Sequence, residues 1–388
     1  MLSVAIEESE PGMQLAVGVT HPDKPGHELL RPGFTLTLEA IAQLRELGIG
    51  FIYVDYPGLE ALDRHFAAHL SAARQAVYQQ IKAGITSIQR STKLVAGFAD
   101  YYSTTRELIT TLLSQGRQPC YVEILSGGLG KDGVAHATAV AQLALTLGIR
   151  LETYLIQQRS RLPVHQAKQV VNVGIAGMLH DIGKAKLPAE VQDRTGIALP
   201  ADQKQRQIWE SHPRLGYELI HDGVEATAAA AVLNHHQHYD GSGFPRLDAA
   251  TAAPRGEKVH VFARIILAAD LYDRLASGPA GQRRPGIEVL HLIRTRYAGW
   301  VDPEILKTFA AVVPPFPPGS KVKLSDGSMA IVMGPNPNDP YRPTVRPLSS
   351  ETGELGAAVQ LSVAGAPSIV TAMGISVAKM VPNDRLAA

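Results

Sequence analysis

Acidic and imidazole side chains are set inside apolar, helix-forming segments of the chain's central half. The segment FARIILAADLYDRL (262–275) places Asp270 in an otherwise hydrophobic run, with Asp273 three residues later. A carboxylate at such a position is costly unless it is paired or bound to a cation. Two other apolar segments carry His136 near the start of one and His235–His236 at the end of the other. The pattern predicts a helical fold that brings these side chains together.

The first 57 residues have a mixed pattern that differs from the helical region. Val4 and Ile6 indicate a strand, and the spacing of leucine and isoleucine over 37–47 predicts a helix. The apolar run at 51–55 predicts a second strand. Residues 1–57 are therefore expected to form a small α/β domain.

A proline-rich stretch, PPFPPG at 314–319, marks a second change of pattern, because it cannot continue a helix. After it, two apolar runs flank Asp326–Gly327, a strong signal for a β-hairpin. We therefore predict a β-rich domain over 319–388. Between the flanks we expect a helical linker (58–116) with one long helix near 59–85, and a main domain (117–313). The expected fold class is mainly α, a helical bundle with a small domain on each side.

Composition excludes several classes of protein. Lys plus Arg (37) almost balances Asp plus Glu (36), so bulk charge does not favour nucleic acid or an anionic membrane. The single cysteine, Cys120, excludes an intramolecular disulfide framework and a thiolate metal site. No apolar run reaches the ~18 residues of a membrane span, and the first residues do not resemble a signal peptide. A cytoplasmic protein is expected, with no membrane or nucleic-acid polymer as partner.

The histidines and aspartates form a candidate metal site. Its members are His136, His180, Asp181, His212, His235, His236 and Asp270. Nitrogen and oxygen ligands without sulfur suit iron, manganese or zinc. Asp181, with two oxygens, is the natural bridge between two cations, and a hydroxide held by such a pair hydrolyses phosphate esters. Lys184 is placed to neutralise a phosphate oxygen, the alternative being an exposed lysine at a helix end.

Each histidine taken singly also fits a cap or a surface position, and two further pairs are interpreted that way. His65 and His69 share a helix face, but no carboxylate or third histidine lies close in sequence. His221–Asp222 repeats the His-Asp dipeptide at the end of a helix, and no lysine follows it. Both pairs are therefore expected to be structural or exposed.

Four motifs in order resemble the HD-GYP domain, a subgroup of the HD phosphohydrolases. They are HDIGK (180–184), SHP (211–213), HH with DGSGFP (235–245) and ARIILAADLYD (263–273), and the resemblance covers 117–313. The resemblance implies an HD-type helical bundle with two or three divalent metals, usually iron or manganese. It implies that the same seven side chains are ligands, with Asp181 bridging. The implied activity is hydrolysis of cyclic di-GMP to linear pGpG and onward to GMP.

The resemblance also assigns other residues. Asp132 stands where members with three metals have a Glu, so a third metal is possible here with a shorter ligand. Lys184 matches a substrate-phosphate contact, and Asp240 and Phe244 belong to the loop expected to bind substrate. Phe244 replaces the tyrosine of the naming motif, which removes a hydroxyl and keeps an aromatic ring.

The sequence departs from the family in the segment after the last aspartate. Pro279 and Gln282 stand where the family has the basic residues that clamp substrate phosphates. Arg283 and Arg284 follow directly and are the candidate substitutes. Gln237 stands in place of a glutamate, and the segment at 151–166 is an insertion next to the first ligand helix that is expected to shape access to the site.

Three functions remain open on the sequence. The first is a phosphodiesterase of cyclic di-GMP, and the second is the same chemistry on a different cyclic dinucleotide, which the altered clamp suggests. The third is a low-turnover, cyclic di-GMP-responsive interaction protein that signals through its flanking domains. Protein partners are expected at the flanks, and a homodimer is expected to use the helix near 59–85.

Overall fold

In the computed structural model of the chain, the N-terminal segment forms the expected small α/β unit. The structure describes residues 1–21, 27–65, 68–91, 97–114, 133–192, 200–246, 253–276, 284–349 and 351–382. The unit consists of β1 (Leu2–Ala5), β2 (Val19–Thr20), β3 (Glu28–Leu30), α1 (Leu38–Glu46) and β4 (Phe51–Val54). β1 pairs antiparallel with β4, and β2 with β3. Thr37 caps α1, because its side chain accepts a hydrogen bond from the Ala40 amide at 3.2 Å.

The central part of the chain is the expected helical bundle. Its helices are α2 (Ala68–Ser91), α3 (Phe98–Ser114), α4 (Gly133–Arg150), α5 (Glu152–Gln158), α6 (Val164–Ala167), α7 (Val171–Leu179), α8 (Ala189–Gln192), α9 (Gln203–Glu210), α10 (His212–Ile220), α11 (Ala226–Asn234), α12 (Val261–Ala276), α13 (Gly286–Thr295) and α14 (Pro303–Val312). Every residue of α12 is buried, so its polar side chains must find partners inside the bundle. Helices α4 and α7 pack closely, since a Cβ on Gly177 would meet the Ala141 Cα at 2.7 Å.

The segment between the N-terminal unit and the bundle differs from the single helix predicted over 59–85. Glu60–His65 is a 3-10 helix, and the α-helix begins at Ala68 and continues to Ser91. The tighter turn buries Leu59 and Leu62 in the core of the N-terminal unit. His65 therefore lies on a different element from His69. Among the described residues, no single helix is long and apolar enough to cross a membrane. Helices α4 and α5 together have the length and apolar composition of a span, but they are bent by 83° where they meet.

The C-terminal part is a strand-rich unit, as expected. Its strands are β5 (Lys321–Leu324), β6 (Met329–Asn336), β7 (Asp339–Leu348), β8 (Val359–Gln360), β9 (Ile369–Ala372) and β10 (Ile375–Ser376). They form one antiparallel sheet in the order β10-β9-β5-β6-β7-β8. β5 and β6 form the hairpin that Asp326–Gly327 predicts, and Gly327 has φ +90°, a conformation that favours glycine.

The N-terminal unit and the C-terminal sheet share one hydrophobic core. Ile331 of β6 is buried in the same cluster as Leu2, Val4 and Ile52. The Ser3 amide donates to the Gly319 carbonyl at 2.9 Å. Two side-chain contacts join the same units: Arg346 of β7 donates to the Gly58 carbonyl at 2.9 Å, and Tyr56 donates to the Gly353 carbonyl at 2.7 Å. The two ends of the chain are thus packed together, and the bundle lies between them in sequence. The domain boundaries remain predictions.

Candidate metal centre

The bundle brings all seven predicted ligand side chains into two adjoining groups. We call the group of His136, His180 and Asp270 the His136 cluster, and the group of Asp181, His212, His235 and His236 the His212 cluster. Within each cluster, one candidate ligand atom from every member lies within 4.8 Å of the others. Residues that are far apart in sequence therefore meet on the scale of a metal coordination sphere.

Helix ends fix the orientation of three of the imidazole rings. His180 and His235 are the C-caps of α7 and α11, and His212 is the first residue of α10. In each, Nδ1 donates to a carbonyl three residues earlier: His180 to Gly177 (2.8 Å), His212 to Trp209 (2.7 Å) and His235 to Val232 (2.7 Å). Because a carbonyl only accepts, Nδ1 carries a proton in each ring, and Nε2 is the nitrogen that faces the cluster. Nε2 is therefore the atom available to a metal ion once it carries no proton.

A carboxylate orients the fourth ring. His136 Nδ1 lies 2.7 Å from Asp273 Oδ2, and His136 Nε2 lies 2.9 Å from Asp270 Oδ1. Asp273 is one helical turn after Asp270 on α12, so one helix supplies both a candidate ligand and the group that holds its neighbour.

Asp181 lies between the two clusters. Its Oδ1 is 3.2 Å from His212 Nε2, and its Oδ2 is 3.4 Å from His180 Nε2 and 3.7 Å from His136 Nε2. One carboxylate oxygen thus faces each cluster, which is the arrangement that a bridging ligand requires. The segment that carries Asp181 packs closely on the first residue of α10 at Gly183. A Cβ on Gly183 would lie only 2.0 Å from the His212 carbonyl oxygen.

Two cations neutralise the carboxylates of the site. Lys184 Nζ lies 2.6 Å from Asp181 Oδ2. The Arg274 guanidinium donates from Nε to Asp270 Oδ1 at 2.6 Å and from Nη2 to Asp181 Oδ2 at 3.0 Å. The sequence interpretation missed Arg274. Its signal was a basic residue four positions after Asp270, on the same face of a helix too apolar to be exposed.

These contacts determine the charges of the site. Burial raises the pKa of Asp181 and of Asp270, but the neighbouring positive charges outweigh it and hold both values well below the usual range. The charges are those of Lys184, His180 and Arg274 for Asp181, and that of Arg274, with hydrogen bonds from His136 and His180, for Asp270. Burial lowers the pKa of His180, yet the two carboxylates outweigh it and raise the value to about 9. Burial and neighbouring histidines lower the pKa of His235 and His236 well below the usual range, so both rings are neutral at pH 7.

The donor set fits divalent metal ions. Among the residues that the structure describes, the buried His236 Nε2 and Asp181 Oδ1 have no hydrogen-bond partner. A buried acceptor without a donor is costly, and a cation supplies the missing interaction. Imidazole nitrogen with carboxylate oxygen suits iron, manganese or zinc. Both clusters have the residues to hold one ion each.

Aromatic rings border the His212 cluster. The Phe244 ring stacks on His236 with ring centroids 4.5 Å apart, and lies 5.5 Å from the ring of Trp209. Lys184 Nζ is 5.7 Å from the Trp209 ring centroid. The loop turns sharply here, since a Cβ on Gly243 would lie 2.1 Å from the His236 carbonyl oxygen. Phe244 therefore supports a candidate ligand through its ring face.

The other predicted site residues have different surroundings. Asp240 Oδ1 accepts from the Ser242 amide at 2.8 Å, and the Asp240 amide donates to the Gly299 carbonyl at 2.9 Å. Arg284 donates to the Leu275 carbonyl at 2.6 Å. These contacts hold the loop and the end of α12, and the substrate-binding roles of both residues stay predictions. Asp132, Pro279, Gln282 and Arg283 lie outside the described residues.

Two other features named from the sequence have clear positions. His221 and Asp222 form an ion pair at 3.3 Å on the surface, with the Asp222 side chain 95% exposed. In the insertion, the Tyr154 hydroxyl donates to Asp302 at 2.7 Å and accepts from the buried Arg264 at 2.7 Å. The insertion is thus anchored to α12, the helix that carries Asp270.

Comparison with known proteins gives the same class of protein. Residues 146–305 match the family model of the HD domain. The cyclic di-GMP phosphodiesterase PA4108 of Pseudomonas aeruginosa is 27% identical over 239 residues, which cover 58% of this chain and 52% of PA4108. The 3′3′-cGAMP-specific phosphodiesterase 3 of Vibrio cholerae is 27% identical over 131 residues, 33% of this chain and 26% of that protein. Among solved structures, Bd1817, a HDG"Y"P protein from Bdellovibrio bacteriovorus, aligns with a TM-score of 0.44 and 12% identity over 79% of this chain and 97% of that chain.

Fold, site and matched segment define the class: this chain carries an HD domain. Within that class its four motifs resemble the HD-GYP subgroup, and the relatives it matches include several cyclic di-GMP phosphodiesterases. The chain spans about half the length of PA4108 and about a quarter of the Vibrio protein.

Proposed function

We propose that this protein is a metal-dependent phosphodiesterase that hydrolyses cyclic di-GMP to linear pGpG, with GMP as a further product. One observation carries the proposal: Asp181 presents one oxygen to each of two histidine clusters, which suits a pair of divalent ions. The alignment with PA4108, a cyclic di-GMP phosphodiesterase, supports the choice of substrate.

The residues divide the work according to their contacts. Divalent ions bound in the two clusters would lower the pKa of water to generate a nucleophile at neutral pH and would offset charge on the phosphate. His136, His180, His212, His235, His236, Asp181 and Asp270 would hold them. Asp273 and the helix-end carbonyls keep the imidazole nitrogens aimed into the clusters. Burial excludes water from the ligand side chains, which strengthens each of these interactions.

Lys184 contributes a positive charge next to the reacting phosphate in this proposal. Its ammonium lies on Asp181 Oδ2, and its side chain is 14% exposed, so it borders solvent where a substrate enters. Attack of hydroxide on phosphorus would form a new P–O bond and break the bond to the 3′-oxygen, which would take a proton from water and leave as the 3′-hydroxyl of the linear dinucleotide. The ammonium stabilises the negative charge that develops on the phosphate oxygens.

A different cyclic dinucleotide is the second candidate substrate. Pro279 and Gln282 stand where the family has basic phosphate contacts, and one aligned relative is a 3′3′-cGAMP-specific phosphodiesterase. A changed phosphate clamp alters how the two nucleotides are discriminated while leaving the metal ligands intact.

Product analysis tests the proposal. The purified protein is loaded with Mn²⁺ or with Fe²⁺ under reducing conditions, incubated with cyclic di-GMP or 3′3′-cGAMP, and the products are separated by chromatography. Release of pGpG or GMP supports the first substrate, and turnover of 3′3′-cGAMP alone supports the second. Tight binding of cyclic di-GMP without turnover would contradict both and identify a responsive interaction protein.

A further inference from the structure

The two histidine clusters differ in their relation to the fixed cation Arg274. Its guanidinium is bonded to Asp270, the carboxylate of the His136 cluster, and also to Asp181 Oδ2, the oxygen that faces that cluster. Lys184 contacts the same Asp181 oxygen. Both cations thus engage the carboxylate oxygens on the side of the His136 cluster.

The opposite oxygen of Asp181 has a different environment. Among the described residues, Oδ1 has no hydrogen-bond partner, and its near neighbours are the Nε2 atoms of His212 (3.2 Å) and His235 (3.8 Å). His236 Nε2 is likewise buried without a partner there. The His212 cluster therefore offers acceptors that are ready for a cation.

Moving the Arg274 guanidinium away from Asp270 and Asp181 into solvent would cost free energy. Its side chain is 5% exposed, and it lies on α12, which is buried along its whole length. An ion entering the His136 cluster approaches Asp270, whose Oδ1 already accepts from the guanidinium at 2.6 Å. Like charges a few ångströms apart repel strongly in a buried site.

We propose that Arg274 makes the metal centre unequal: the His212 cluster binds the first divalent ion tightly, and the His136 cluster binds the second weakly. Arg274 is a positioning residue in this proposal, because it acts through Asp270 and Asp181. The inference rests on the proposed function, since it assumes that both clusters hold metal. It makes full occupancy, and with it activity, depend on the concentration of free metal.

The experiment is a Mn²⁺ titration of the metal-free full-length protein, with bound metal measured by elemental analysis and paired Mn²⁺ detected by electron paramagnetic resonance. The wild type should bind two ions in separate steps, and the paired signal should appear only in the second step. Arg274→Gln removes the charge and should tighten the second step by at least about tenfold. Arg274→Lys keeps the charge and should stay closer to wild type than the Gln variant. The matched control is Arg214→Gln, on the helix of His212, where a 67% exposed arginine pairs with Glu218.

A second measurement does not depend on folding of the Arg274 variants. With less than one equivalent of Mn²⁺, His136→Ala should retain tight binding, whereas His235→Ala should lose it. Equal affinities in the wild type, an unchanged second step in Arg274→Gln, or the reverse order in the histidine variants would each overturn the inference and leave the proposed function standing. A wild-type protein that binds no Mn²⁺ or Fe²⁺ would overturn both.

Discussion

The His136 cluster and the His212 cluster use the same kinds of ligand but are supported differently. In the His212 cluster, the rings of His212 and His235 are held by backbone carbonyls at helix ends. In the His136 cluster, the ring of His136 depends on the side chain of Asp273, and Asp270 is bonded to Arg274. His180 of the His136 cluster also has such a carbonyl, so the His212 cluster depends more on helix ends and the His136 cluster depends more on charged side chains. Side-chain substitutions should weaken the two clusters to different degrees.

Asp181→Ala should give the largest effect, because it removes the group that the two clusters share. We expect loss of metal from both clusters and a fall in hydrolysis by more than about a hundredfold, beyond the usual effect of changing a group that only supports a ligand. Elemental analysis and product formation measure the two effects.

The control for Asp181 is the surface His221–Asp222 pair, which has the same dipeptide without the site. Asp222→Ala should leave metal content and turnover unchanged. Retained metal and activity in Asp181→Ala would show that the assigned bridge is wrong.

Asp273→Asn should separate the clusters. The amide cannot hold the proton of His136 as strongly as a carboxylate does, so we expect metal affinity at the His136 cluster to fall roughly tenfold to a hundredfold. Binding at the His212 cluster should be unchanged, because backbone carbonyls orient its rings. A Mn²⁺ titration measures both steps, and equal weakening of the two would refute the difference in support.

Lys184→Met should affect substrate more than metal. Loss of the ammonium removes a charge-assisted contact worth about 1.5–3 kcal/mol, so KM for the cyclic dinucleotide should rise about tenfold or more. Lys186→Met is the control, since Lys186 lies two residues away on the same 3-10 helix and is exposed. An unchanged KM with altered metal content would move Lys184 from substrate binding to metal binding.

Substitutions at Phe244 should have the smallest effects on turnover and stability. These effects should arise at the His212 cluster, where Phe244 stacks on His236. Phe244→Tyr keeps the ring on His236 and should change turnover by less than about threefold, because ring volume and shape are conserved. Phe244→Ala removes a half-buried ring and should lower the free energy of unfolding by about 2 kcal/mol, less than for a fully buried phenylalanine. Thermal and denaturant unfolding measure the free energy of unfolding of the two variants. An equal loss of stability in both would show that the added hydroxyl of Phe244→Tyr is as disruptive as loss of the ring.

The features predicted well from the sequence are those with local causes. Helix α1 begins after Thr37, whose side chain caps it, and the β5–β6 hairpin follows from a turn that suits Asp326–Gly327. The meeting of the histidines and aspartates could also be predicted, because unpaired side chains of these types are disfavoured in apolar helices. Their role as metal ligands stays a prediction. The motif order then indicated the family.

The features missed depend on contacts between distant segments. The spacing of four residues places Arg274 next to Asp270, but nothing local shows that Arg274 also reaches Asp181, because Asp181 lies on another element. The long helix near 59–85 had a suitable pattern, but packing of Leu59 and Leu62 on the N-terminal unit favoured a 3-10 turn there. Pairing of Ser3 with Gly319 joins residues more than three hundred positions apart. Local patterns indicate which face of a helix or strand is buried, but they do not indicate which other element covers that face.

The core shared by the N-terminal unit and the C-terminal sheet has a consequence for the design of truncations and chimaeras. Ile331 packs in the same core as Leu2, Val4 and Ile52. Deletion of either flank alone would therefore expose apolar surface on the flank that remains. A chimaera would have to exchange both flanks together and to keep apolar side chains such as Val322 and Ala330, which belong to the core of the bundle.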